Sequence, residues 1–239
     1  MMKFYTTLLC IMVLFGVKAQ TFQLFTEDFN LPTASFTLNT GGPAGVASGT
    51  NKWIINNSYT GGFGYPNTTT QDLTVSGTIG GAPTSNYLHI YDEEGAPAIT
   101  CASYDPTDPS YNLADMSGGF CTRVLIDIEY TFFWLCEGGA GDYGQVYYSA
   151  DGGPWTPVGM ALYSGQTLWK YEVISDPAFE DVADLRFGYR WVNNNDGGSS
   201  TMSFAVDDII AVGTYDEAVH PVDINIDFIS PDPVCKLST

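Results

Sequence analysis

Positive charge is scarce in this chain: 8 lysines and arginines stand against 27 aspartates and glutamates, and His89 and His220 are the only histidines. A formal charge of -19 argues against nucleic acid and anionic membrane surfaces as partners, because phosphate binding rests on Lys and Arg. Most of the acid excess serves to keep a chain soluble, and it is compatible with divalent cations. No CxxC pair occurs, which with two histidines argues against zinc. The G-x-S-x-G elbow of serine hydrolases is missing, as are the E-x-D-x-x-E pattern of laminarinase-like hydrolases and the D-x-D-x-D-G loop of EF-hands. Past the N-terminus no apolar run approaches the roughly 20 residues that span a bilayer, and no stretch keeps a helical period.

What is present begins with Met1-Met2-Lys3, an apolar run from Leu8 to Val17, and Lys18-Ala19-Gln20. A charged start, a short greasy centre and a small-residue cut site describe a secretory signal peptide over residues 1–19. Its removal takes two lysines and no acid, moving the charge from -19 to -21. Cys10 lies within Leu8-Leu9-Cys10-Ile11-Met12, which is not the setting of an acylated cysteine. Cys101, Cys121, Cys136 and Cys235 remain, and an exported chain permits disulfides. Four thiols allow three complete pairings. Cys101 with Cys121 is the preferred bridge, because Pro106, Pro109 and Gly118-Gly119 make the segment between them a returning loop. Cys136, in "FFWLCEGG", reads alternatively as a buried free thiol.

Short β-branched and aromatic runs between turn residues indicate an all-β chain. Strands are expected at Phe22 to Phe29, Trp53 to Ile55, Tyr87 to Tyr91, Ala98 to Ala102 and Arg123 to Leu135, where Val124, Ile126, Ile128, Tyr130, Phe132 and Trp134 share one face by alternation. "GQVYYSADGGPWTPVG" reads as two strands about Asp151-Gly152-Gly153. Strands at 168–174 and 184–192 come next, the second with Leu185, Phe187, Tyr189 and Trp191 on one side, and "SFAVDDIIAVG" (203–213) closes the series. Many short strands without βα alternation predict two stacked antiparallel sheets over residues 20–213. From 214 to 239 the composition changes, with Val222, Ile224, Ile226 and Phe228 alternating with polar residues before two prolines and Cys235. This reads as a linker and the start of a further, truncated domain; the alternative is a strand returning to the first domain's edge.

"FFWLCEGG" (132–139), "DYGQVYYSADGGPW" (142–155), "FGYRWVNN" (187–194) and "FAVDDI" (204–209), taken in order, resemble the MAM-like jelly-roll domains, including the choice-of-anchor J group, over residues 22–213. The resemblance implies a jelly-roll β-sandwich in a secreted or cell-surface bacterial protein, acting as a carbohydrate-binding or adhesive module without catalysis. "SPDPVC" is similar to the start of the Ig-like repeats found after such domains. The usual "STDGGTSW" is one residue longer than "SADGGPW" here, so Trp155 is open to a different direction. "SADGGPW" also resembles the Asp-box turn of sialidases; one copy argues against a propeller and leaves Asp151 as a turn-stabilising residue.

The acid pair Asp207-Asp208 interrupts an apolar strand. Alternation groups Phe204, Val206, Asp208, Ile210 and Val212 on one face, where an ionised carboxylate costs several kcal/mol unless paired or coordinated. The resemblance instead favours Asp207, and a bulge at the pair would reconcile the two. In jelly rolls of this kind the last strand lies near the first, which brings Glu27 and Asp28 toward the pair. Several carboxylates from different strands suit Ca²⁺ with its 6 to 8 oxygen ligands. The sequence-level hypothesis is therefore a structural calcium held by Glu27, Asp28, Asp207 and Asp208; the alternative is a carboxylate bonded to loop amides. For a glycan ligand, exposed aromatics beside amides and carboxylates are needed. Trp155 at the hairpin and Tyr163 by the Ser164-Gly165 turn are the candidates, the other tryptophans and tyrosines being mostly core. A protein-binding or spacer domain is the first alternative. A glycoside hydrolase using Asp127 and Glu129 is the second.

Overall fold

The structure, a computed structural model, describes residues 19–30, 35–41, 49, 51–56, 78–79, 82–83, 87–92, 112–136, 141–193 and 203–215. Its strands are β1 (Gln20–Glu27), β2 (Phe36–Thr40), β3 (Asn51–Asn56), β4 (Thr78–Ile79), β5 (Ala82–Pro83), β6 (Tyr87–Asp92), β7 (Leu113–Met116), β8 (Ile126–Cys136), β9 (Tyr143–Ala150), β10 (Thr156–Tyr163), β11 (Gln166–Ile174), β12 (Leu185–Val192) and β13 (Ala205–Tyr215). One sheet, here called the β13 sheet, runs β11-β8-β13-β6-β3, with β1 also paired to β13. The second, the β12 sheet, runs β10-β9-β12-β7-β2, and β4 and β5 form a separate two-stranded pair. All pairings are antiparallel. The chain is an all-β sandwich of jelly-roll type. Among the described residues the one helical element is a 3-10 turn at Pro177–Phe179, capped by Asp176, and no helix is long and apolar enough to cross a membrane.

The core between the sheets follows from alternation. Leu185, Phe187, Tyr189 and Trp191 of β12 are all buried and face Ile128, Tyr130, Phe132 and Trp134 of β8. Tyr130 stacks on Phe187 with ring centroids 3.7 Å apart, and its hydroxyl bonds that of Tyr189 at 2.8 Å. Burial pushes both phenols far above their ordinary range, so each stays a neutral member of a polar pair inside an apolar layer. On β8 the expected face starts later than alternation predicts: Val124 precedes the strand, and both it and Asp127 have positive φ. The opposite face of β8 is buried as well, since Phe133 and Leu135 cluster with Tyr87, Trp169 and Ala205.

Along one long edge the two sheets are tied by a side chain acting as backbone. Asn39 of β2 accepts from Trp53 N–H through Oδ1 at 2.7 Å and donates Nδ2 to Trp53 C=O at 3.1 Å. Nearby, Trp53 Nε1 donates to Asn112 C=O at 2.8 Å, and Asn112 Nδ2 to Asn51 C=O at 2.5 Å.

At β13 the expected face is corrected. The ladders to β8 shift register between Asp207 and Ile210, and Asp208 has φ of 47°. A bulge with a residue in the left-handed region adds one position and reverses the phase of the strand after it. Phe204 and Val206 point into the core as expected, but Ile209 and Ala211 continue the stripe in place of Asp208, Ile210 and Val212. The strand segment Ala98 to Ala102, the side chain of His89, and residues 1–18 and 216–239 lie outside the described residues. Cys136 is buried, with its Sγ 4.0 Å from the Asp142 carbonyl oxygen. Cys121 is disulfide-bonded, while Cys101, its expected partner, lies outside the described residues.

Candidate functional site

The outward side of the β12 sheet carries a cluster of polar side chains. Phe187 and Tyr189 point inward, so Arg186, Gly188 and Arg190 point out. Register sets two rows across the sheet. One contains Pro157 (β10), Tyr147 (β9), Gly188 (β12), Asp115 (β7) and Thr37 (β2). Beside it run Gln145, Arg190, Leu113 and Thr40. Two of the chain's three arginines thus stand on one side of one strand.

Trp155, released from the Asp151 turn, is half-buried and lies against this surface. A Cβ placed on Gly188 would meet Trp155 Cζ3 at 3.3 Å and Leu113 Cδ1 at 3.2 Å. The absence of a side chain at 188 is therefore what lets the indole settle on the sheet. Of the other tryptophans, Trp53, Trp134 and Trp191 are core and Trp169 belongs to the second cluster. Trp155 follows the hairpin turn as the sequence places it, but it is half-buried rather than exposed. Tyr163 departs further: it is 0% exposed, packed on Trp134, Phe132 and Phe204, with its hydroxyl accepting Met160 N–H at 3.2 Å. Its assignment as a ligand residue is corrected. Gly159, at φ 77°, would clash with the Tyr163 hydroxyl if it carried a Cβ, and the irregular pairing of β10 after Val158 turns the tyrosine inward.

Around Trp155 the polar groups are held by one another. Tyr147 donates to Gln145 Oε1 at 3.0 Å, and Arg190 Nη1 reaches Gln145 Oε1 at 3.3 Å and the Tyr147 hydroxyl at 3.2 Å. Thr40 Oγ1 donates to Asp115 Oδ1 at 2.9 Å. Burial raises the Asp115 carboxyl above its usual range, opposed by the Thr40 bond and by the Arg186 charge. Arg186 grips Asp184 with Nη2 at 2.7 Å and Nε at 2.9 Å. Aromatic surface beside oriented amide, guanidinium, carboxylate and hydroxyl groups is the composition that fixes a polar ligand with an apolar face. Sequence reasoning left Tyr147 among the mostly core tyrosines and did not gather Gln145, Arg186, Arg190 and Asp115. The alternation Arg186-Gly188-Arg190 opposite a fully apolar stripe was the available pointer.

The acid cluster forms where β1 meets β13, Glu27 pairing with Ile209. Asp207 is 1% exposed and accepts the Asp208 N–H at 2.8 Å. Burial pushes its carboxyl well above the usual range, Asp208 adds repulsion, and Asp28 and Glu27 add more. Glu27 is bound on both oxygens, by Phe29 N–H and Ser35 N–H at 2.7 Å each, and Asp28 accepts Asn30 N–H at 3.0 Å. Among the described residues no three His, Cys, Asp or Glu side chains converge as a ready ligand set. The strand juxtaposition is as expected, then, while loop amides already occupy part of the donor set.

Asp151 sits in the Ala150–Gly153 turn with φ of 51°, where Gly153 N–H returns to Ala150 C=O at 2.9 Å and Ser149 Oγ donates to Gly153 C=O at 2.8 Å. Asp127 and Glu129 are exposed on β8 and lack the apolar enclosure that prepares a general acid.

No family model matches the chain, and no curated protein matches it. Among solved structures, the chain is similar to the CBM22-1 xylan-binding domain of Xyn10C from Paenibacillus barcinonensis, at 10% identity and a TM-score of 0.35 over 81% of this chain and 95% of that one. It is similar to TmCBM27, a carbohydrate-binding module studied for mannan recognition, at 10% identity and 0.37 over 81% and 98%. A cyclase from Fischerella sp. TAU stands alongside, at 14% identity and 0.36 over 83% and 100%.

Proposed function

We propose that this chain is a non-catalytic carbohydrate-recognition module and that the outward side of the β12 sheet is its glycan-binding surface. The observation that carries the reading is the half-buried Trp155 seated on Gly188, flanked by Tyr147, Gln145, Arg190 and Asp115. A pyranose offers an apolar C–H side to an indole, while its hydroxyls need donors and acceptors fixed in place; this surface supplies both. Titration calorimetry against a panel of soluble xylan, mannan and glucan oligosaccharides tests it. Binding to at least one is expected, with W155A losing tenfold or more in affinity, about 1.4 kcal/mol. Retained affinity in W155A would place the ligand elsewhere; no binding to any glycan would favour the protein-binding or spacer alternative.

The reading extends to a MAM-like, secreted or cell-surface module with a signal peptide over residues 1–19 and a Cys101–Cys121 bridge. It also includes a structural Ca²⁺ beside β1 and β13. Asp207 would be its principal ligand, joined by Glu27, whose oxygens each retain a lone pair, with Asp28 and Asp208 at the margin. The support is a desolvated carboxylate surrounded by other acids, a charge arrangement that a divalent cation offsets. Thermal melts of chelator-treated protein with and without added Ca²⁺ are the check. A rise of several degrees is expected for the native sequence and none for D207N; equal melts in both conditions remove calcium from the account.

A further inference from the structure

Asp151 closes a tight turn, yet its bonds lead out of that turn. Its Oδ1 accepts Ala183 N–H at 2.9 Å and Asp184 N–H at 3.0 Å, and its own N–H donates to Asp184 C=O at 3.0 Å. Three bonds therefore fix the backbone around Asp184, the residue just before β12. The Asp184 side chain in turn holds Arg186 by two nitrogens. The pair lies over Gly119, where any Cβ would collide with the Asp184 carboxylate and come within 2.9 Å of Arg186 Cγ. Arg186 also lies close enough to Asp115 to lower its carboxyl pKa. From the other end of the same turn, the chain leads through Pro154 to Trp155.

We infer that Asp151 is a positioning residue for the glycan surface: one turn mounts both the indole, through residues 153–155, and the guanidinium of Arg186, through Asp184. This rests on the β12-sheet reading of the ligand site. The Arg186–Asp184 pair is more than a third exposed on both sides, so as an isolated ion pair it contributes little stability. Its worth lies in orientation, because a planar guanidinium held by two bonds presents its remaining N–H groups in one direction.

Three variants test it, each measured well below its melting temperature: D151A, D151N and D184A. Asn keeps an acceptor oxygen for the two amides, so D151N should retain the native behaviour. D151A should accelerate hydrogen exchange at Arg186 Nε–H, followed by NMR without ligand, and lower affinity for the glycan bound by the native protein roughly tenfold. D184A leaves the turn's backbone bonds in place but removes both acceptor oxygens from Arg186, and should reproduce both effects. A slow Arg186 Nε–H in D151A, or in D184A where D151A is unfolded, overturns the inference. Should the native protein bind no glycan, the exchange measurement still decides whether Asp151 positions Arg186, and only the functional reading falls.

Discussion

Gly188 shows how a single residue sets a surface. Its backbone lies in an ordinary strand, so alanine is tolerated conformationally, but the added methyl would press on Trp155 and Leu113 at 3.2 to 3.4 Å. G188A is expected to displace the indole, weaken glycan affinity by roughly fivefold, and cost no more than about 1 kcal/mol of stability; calorimetry and a denaturant melt on one preparation would show both. A fold loss without an affinity loss would mean that the indole is not the contact. Trp155 was legible in the sequence because a turn of Asp-Gly-Gly-Pro carries the next side chain out to the surface. Tyr163 was misread for the complementary reason: it also neighbours a turn, but Gly159 leaves a hollow into which the ring folds, and nothing in one-dimensional alternation marks that hollow.

At the scale of elements, the long strands were readable and the short ones were not. β8 and β12 announce themselves through uninterrupted aromatic alternation, whereas β2 ("FTLNT") and β7 ("LADM") are only five and four residues long, carry no aromatic stripe and are fixed by their neighbours in the β12 sheet. The bulge in β13 was foreseeable as a need, since two adjacent acids could not both fit a regular strand, but its consequence for Ile209 and Ala211 required coordinates. β11, an edge strand, turns Lys170 and Glu172 toward the same side as Ile174, opposite Trp134 and Phe132. Lys170 Nζ stands 5.7 Å from the Trp134 ring centroid, and inward-pointing charges of this kind discourage another strand from adding to an edge. Glu172 is raised above its usual carboxyl range by burial, against the pull of Lys170 and of the Trp134 indole, whose N–H faces it without completing a hydrogen bond. A carboxyl whose folded pKa is raised contributes stability that is present below the unfolded carboxyl value and lost as pH rises through the folded one. E172Q should therefore melt slightly higher than the native protein at neutral pH, of order 1–2 °C given its partial exposure, with the gap closing on acidification. A gap that widens toward acid would reverse the sign and refute this account.

Across the whole molecule, the sandwich separates two kinds of polar chemistry. The β12 sheet bears Arg186, Arg190 and Asp115 outward, each held by a neighbouring polar side chain; the seam between β1 and β13 gathers acids where the first and last described strands meet. Sequence reasoning reached the seam through the Asp207-Asp208 interruption, a local conflict between charge and burial. It reached only part of the outward surface, because Gln145, Arg190 and Asp115 become neighbours solely through cross-strand register, which no local pattern encodes. Burial of both sides of β8 was hidden for a similar reason: Phe133 and Leu135 need a partner layer, and Trp169 and Tyr87 come from distant parts of the chain.

β13 borders β8 along its length on one flank, and on the other it borders β6 and then β1 in succession. Three earlier segments thus share a ladder with the segment made last among the described strands. Before β13 docks, the segments ahead of it can collapse but cannot zip up the sheet. Completion of the entire β13 sheet waits on this one 11-residue strand, and until it docks the hydrogen-bonding edge of β8 that it covers stands open to any other chain that happens to be near.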